Sequence, residues 1–131
     1  MTDLVEFLRA RLTEDEQTAL AVPVGSINLP PAHWSAGSGP LGEGWVLGTK
    51  EDINAHSAEA AEHIARHDPA RIVREVQAKR RLLDQLYPEI KGADEAIEGE
   101  WNRNPYNADG LLELLALPYA NHPQYREEWR P

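Results

Sequence analysis

Apolar positions near the start of the chain fall at helical spacing. Leu4, Phe7, Leu8 and Leu12 stand at i, i+3, i+4 and i+8, one face of a helix, while charged residues occupy the positions between them. Asp3 followed three residues later by Glu6 has the form of a capping box, so a helix is predicted from there to about Ala21, ahead of Pro23. The period is then lost. Between Pro23 and Lys50 proline and glycine recur, and the apolar residues that remain are Trp34, Trp45, Val46 and Leu47. Tryptophan and β-branched residues between glycine turns predict a small hairpin or meander over about 23–50, packing its tryptophans on the helices.

Helical spacing returns in a second segment, about residues 55–66, with Ser57 as N-cap and Ala58, Ala61, Ile64 and Ala65 on one side. Asp68-Pro69 restarts the chain. Proline lacks an N–H and disfavours helical geometry in the residue before it, yet suits the first helical position, and Asp68 is placed to cap the free amides. A third helix is predicted from Pro69 to Leu86, with Ile72, Val73, Val76, Leu83 and Leu86 as its buried stripe and Tyr87-Pro88 as its stop. Residues 88–109 read as an acidic excursion with one helical turn around Ala93 to Glu98. After Gly110, LLELLAL predicts a short buried helix ended by Pro118. The final segment carries Tyr119, Tyr125 and Trp129, aromatics that pin such a tail to the body. The predicted fold is α+β, mainly helical: an N-terminal helix, a small β element, a helix-corner-helix over about 55–86, and a short C-terminal helix with a pinned tail.

At 131 residues the chain fits one domain, 1–131, and no internal repeat is apparent. Cysteine is absent, which removes disulfides, thiolate zinc ribbons and thiol nucleophiles and leaves any metal to His and carboxylates. The formal charge of −9 argues against direct nucleic-acid binding. Charge is unevenly spread, because residues 69–86 hold Arg71, Arg74, Lys79, Arg80 and Arg81 against only Glu75 and Asp84. That run reads as a solvated helix face or as a docking surface for an acidic partner. The opening residues alternate apolar and charged positions, unlike a signal peptide or a spanning helix, so a cytoplasmic protein without membrane association is expected.

The histidines carry the sharpest chemical candidate. On a continuous helix His56, Glu59, His63 and His67 share a narrow sector, and two imidazoles at i, i+4 can grip one ion, with His122 as a remote third ligand and Glu59 or Asp68 as carboxylate donor. Zincin spacing needs a glutamate directly after the first histidine, and Ile64 stands there instead. The preferred reading makes His63 and His67 part of the bend, with imidazole near the exposed carbonyls of a helix C-terminus. The glycines of GSGPLGEGWVLGTK do not make a phosphate loop, since the Gly-Lys-Ser/Thr order is missing. LPPAHW reads as a rigid lead into a strand, and no local signature selects a Ser/His/Asp triad. No catalytic residue is assigned. Tyr125 and Trp129, with Tyr119, His122 and neighbouring arginines, form either a core lid or an interface patch.

Three blocks, MTDLVEFLRARLTEDE, EHIARHDPARIVREVQAKRRLLD and LLALPYANHPQYREEWRP, resemble an uncharacterised family, a domain of unknown function common in actinobacteria and bacteriophages. The resemblance covers both ends and the central helix pair and implies no activity. Relatives in that family look as though they carry a cysteine-containing segment before the terminal block, where this chain has GEWNRNPYNADG.

The expectation that follows is a small accessory or regulatory protein acting by protein–protein binding, through Arg71, Arg74, Arg81, Tyr125 and Trp129, with no cofactor and without enzymatic activity. Its alternatives are a metal-dependent hydrolase or nuclease built on His63, His67, His122 and Glu59 with a divalent metal, and an acidic mimic of nucleic acid. The partner, and whether the chain forms oligomers, are not written in the sequence.

Overall fold

The computed structural model describes residues 2–25, 29–48, 50–96 and 107–131. Its elements run in the order α1 (Thr2–Leu20), β1 (Ser35–Ser38), β2 (Gly44–Leu47), β3 (Ile53–Asn54), α2 (Ala58–Arg66), α3 (Pro69–Arg81), a π turn (Leu82–Leu86), α4 (Tyr87–Ala96) and α5 (Ala108–Ala116). Short 3-10 turns follow at Leu117–Tyr119 and Glu127–Trp129. This is the mainly helical α+β architecture that the periodicity predicts. It falls into two compact units, one made of residues up to Thr13 with those from Gln77 onward, the other of Glu14–Val76.

The second unit is built on a three-stranded antiparallel sheet of order β1-β2-β3. Ser35 pairs with Leu47 and Ser38 with Gly44 across the first ladder, and Val46 with Ile53 across the second. Strand alternation decides which side chain of β2 is buried: Val46 is fully enclosed, whereas its neighbour Trp45 turns outward and stays 39% exposed. The expectation that both tryptophans pack on helices is therefore corrected at Trp45. Helix α2 packs on β1 and β2 and presents Ala61 and Ala65, side chains small enough for close approach. Gly44 shows how close. A Cβ there would lie 1.7 Å from the Ser57 carbonyl oxygen, so only glycine fits under the start of α2. Gly48, at φ 102°, turns the chain against the His33 carbonyl and also excludes a side chain.

The first unit is helical. Leu4, Phe7, Leu8 and Leu12 of α1 are buried, as are Leu83 and, from α5, Ala108, Leu112 and Ala116. Asp3 is not a cap: α1 already begins at Thr2, and the Asp3 carboxylate accepts from Arg126 at 2.9 Å. Asn107 caps α5 instead, its side chain accepting from the Gly110 amide at 2.8 Å, so Gly110 lies inside the helix rather than before it.

The largest departure lies at Tyr87-Pro88. The helix does not stop there. Proline in a regular helix clashes with the carbonyl four residues back, and the chain meets this by widening one turn, with the Tyr87 amide donating to the Leu82 carbonyl. Helix α4 then continues to Ala96, through residues expected to form an irregular excursion. The turn expected at Ala93 to Glu98 runs into residues 97–106, which lie outside those described. Widening the turn also rotates Leu86 out of the predicted buried stripe, leaving it 47% exposed.

Candidate functional site

Local hydrogen bonds hold the corner at His67-Asp68-Pro69. Asp68, 8% exposed, caps α3 by accepting from the Arg71 amide at 2.7 Å, and its other oxygen accepts from the Trp34 amide at 3.1 Å. One side chain thus ends the bend and anchors the lead into β1. The His67 amide donates to the Ile64 carbonyl and its Nδ1–H to the His63 carbonyl at 2.8 Å, closing the last turn of α2. The His63 and His67 rings lie 4.7 Å apart, tilted by 43°, on an exposed side of α2 that also carries Glu59. His56 precedes α2 with φ 67° and so leaves the helical sector in which the spacing placed it.

His122 belongs to the other unit. Its Nδ1 accepts from the Arg11 guanidinium at 2.8 Å and from the Gln124 amide at 3.1 Å, which fixes the proton on Nε2. Among the described residues, no group of three or more histidines, aspartates or glutamates is placed to hold a metal ion.

Around Phe7 the tail forms an aromatic nest. Phe7 has Trp129 at 5.0 Å, His122 at 5.7 Å, Tyr125 at 6.1 Å and Tyr119 at 6.3 Å between ring centroids. Arg11, buried despite its charge, lies over the Phe7 ring at 5.0 Å, and Arg126 over Trp129 at 5.2 Å. Trp129 is 6% exposed. Tyr125 and Trp129 are thus turned into their own unit.

Arg71, Arg74 and Arg81, the three arginines of the basic run expected at an interface, differ in their surroundings. Arg71 is held by Glu75 at 2.9 Å, Arg74 is exposed, and Arg81 borders a groove of about 380 Å³ lined also by Ala78, Leu82, Gln85 and Leu86. The geometry of that groove comes from the π turn. Twelve residues separate Ala78 from Ile90, and at about 100° per residue a plain α-helix would set them about 120° apart. The widened turn absorbs one residue, so the twelve advance roughly as eleven would and the ends differ by only about 20°. Ala78, Leu82, Leu86 and Ile90 therefore form one straight apolar stripe. Leu86 is 47% and Ile90 36% exposed.

Arg81, Gln85 and Glu89 follow one flank of the stripe. Among the described residues neither Arg81 nor Glu89 has a hydrogen-bond or ion-pair partner. The opposite flank is anchored. Leu83 is buried, and Asp109 of α5 accepts from the Tyr87 hydroxyl at 3.3 Å and from Lys91 at 3.2 Å. Burial, then the Asp109 carboxylate, raises the Tyr87 pKa above its ordinary 10.0, and the hydrogen bond to Asp109 raises that of Lys91. The face is hidden in the sequence because proline ordinarily ends a helix and Pro88 falls inside it. The visible signal was leucine at 82 and 86 with isoleucine at 90, a four-residue spacing running through the proline.

Fold and surface together define a small mainly helical α+β protein with an exposed helical face. The chain belongs to DUF6221, a family of unknown function, whose model matches residues 1–131. No curated protein and no solved structure matches it. Among the described residues no helix is long and apolar enough to cross a membrane.

Proposed function

We propose that this protein is a small cytoplasmic accessory or regulatory protein that acts by binding protein, with the Ala78–Ile90 helical face as its contact. The observation that carries the reading is the stripe itself. Apolar side chains at consecutive turns stay in water although the helix is firmly anchored on its other side, and they are bordered by an arginine and a glutamate that have no partner among the described residues. Exposed leucines in isolation are ordinary, but an aligned row beside unpaired charge has the composition of a helix-recognition surface. Arg81 belongs to the basic run and sits on this face. Among the described residues no His and carboxylate group is placed to hold a metal, so the hydrolase alternative has no comparable support.

A photo-reactive amino acid placed at Leu86 tests this in cells, with one placed at Lys50 as the control. Crosslinks to a protein chain concentrated at position 86 are the expected result. Equal yields at the two positions, or none, refute the face as a contact.

A further inference from the structure

We infer that a second copy of this chain occupies the Ala78–Ile90 face, the two helices running antiparallel about a two-fold axis level with Gln85. The inference rests on the binding reading above and names the occupant.

Its basis is the symmetry of the face. Arg81 and Glu89 stand four residues before and four after Gln85, and all three lie on the same flank of the stripe. A two-fold axis perpendicular to a pair of antiparallel helices keeps each flank on its own side and reverses its direction. Arg81 then faces the second copy's Glu89, and Glu89 the second copy's Arg81. The two charges without partners among the described residues of one chain supply each other's partner in a pair.

The apolar row obeys the same operation. Relative to Gln85, the second copy's Ile90 comes level with the gap between Ala78 and Leu82, and its Leu86 with the gap between Leu82 and Leu86. Side chains of one row enter the spaces of the other, as ridges into grooves require. A regular α-helix through Pro88 would splay the stripe by about 120° and bring only half of it into contact. An acidic helix from another protein would use Arg81 but would meet repulsion at Glu89. Self-pairing satisfies both.

Few residues contribute from each copy, fewer than the twenty to thirty a side of a standard interface, so the pair is expected in the micromolar range or weaker. Sedimentation velocity of the full chain, from micromolar to roughly millimolar, tests it. A monomer–dimer equilibrium is expected. Leu86→Asp should leave monomer throughout. Arg81→Glu sets like charges opposite each other twice and should weaken the dimer about tenfold. Combining it with Glu89→Arg exchanges the two charges and should return the dissociation constant to within about threefold of the parent. Circular dichroism checks that the variants keep their fold. A parent chain that is monomeric throughout, a dimer indifferent to Leu86→Asp, or a double variant no tighter than Arg81→Glu alone overturns the inference. Position-86 crosslinks to a different protein beside a monomeric parent would remove self-pairing and leave the binding face standing.

Discussion

Removing the Trp129 indole asks whether the tail is part of the core of its unit. The ring is almost wholly buried, meets Phe7 at 5.0 Å and Tyr125 edge-on at 5.8 Å, and carries the Arg126 guanidinium over one face. Truncating a buried tryptophan to alanine costs about 3–5 kcal/mol. The lower end applies here. Trp129 borders an open cleft together with Asp3, Glu6, Ala10 and Gln124, so water enters and the tail relaxes around the missing ring. About 3 kcal/mol is a large share of a stability of about 5–15 kcal/mol, and for a chain of this size it lowers the melting temperature by roughly 10–15 °C. Trp129→Phe keeps an aromatic ring against Phe7 and should cost about 1–2 kcal/mol. Exposed Glu128→Ala, in the same turn, should stay within about 0.5 kcal/mol of the parent. Calorimetry or thermal circular dichroism reads all three. A Trp129→Ala protein melting within about 2 °C of the parent would show that the tail merely covers the unit, and the packing argument would fail.

Two further outcomes follow from hydrogen bonds at fixed places. Asp68→Ala removes both the α3 cap and the acceptor of the Trp34 amide, and should cost about 2–3 kcal/mol in urea unfolding, whereas Asp68→Asn, which keeps one carbonyl acceptor, should cost about half that. Equal losses, or losses below about 0.5 kcal/mol, contradict the double role. The α4–α5 anchor sets an alkaline limit. The folded pKa values of Tyr87 and Lys91 are raised above the ordinary 10.0 and 10.5, so their contribution is fully present below those values and is lost as pH rises through the folded ones. Tyrosinate absorbance, taken as the difference from Tyr87→Phe, should therefore titrate above 10.0 for Tyr87. Asp109→Asn should bring that midpoint down, and an unmoved midpoint would exclude the carboxylate as a cause.

Elements with a strong local signal were legible from residue order. Ser57 caps α2 and Asp68 caps α3 because a short oxygen-bearing side chain satisfies the first free amides wherever a helix starts. Leu4, Phe7, Leu8 and Leu12 share a buried face because 3.6 residues make a turn. Trp45 was misplaced because alternation says that neighbours in a strand part company, but not which of the two meets the helix. Asp3 was misassigned because a first-turn carboxylate and a capping one look alike in sequence, and here a distant arginine claims it. For the candidate face, Arg81 is visible as charge and Leu82 lies within the predicted third helix though outside its buried stripe, while Glu89 and Ile90 are hidden behind Pro88.

Residue order alone determined the starts of α2 and α3, the mainly helical α+β class and the absence of thiolate chemistry, because caps, periodicity and composition act over a few neighbouring residues. Tertiary structure decided that Asp68 also holds the distant Trp34 amide, that Trp129 lies inside its unit, and that one widened turn carries a helix through proline. Those outcomes depend on groups far apart in sequence, or on whether a local strain is met by breaking a helix or by rewinding it, and only the packed chain makes that choice.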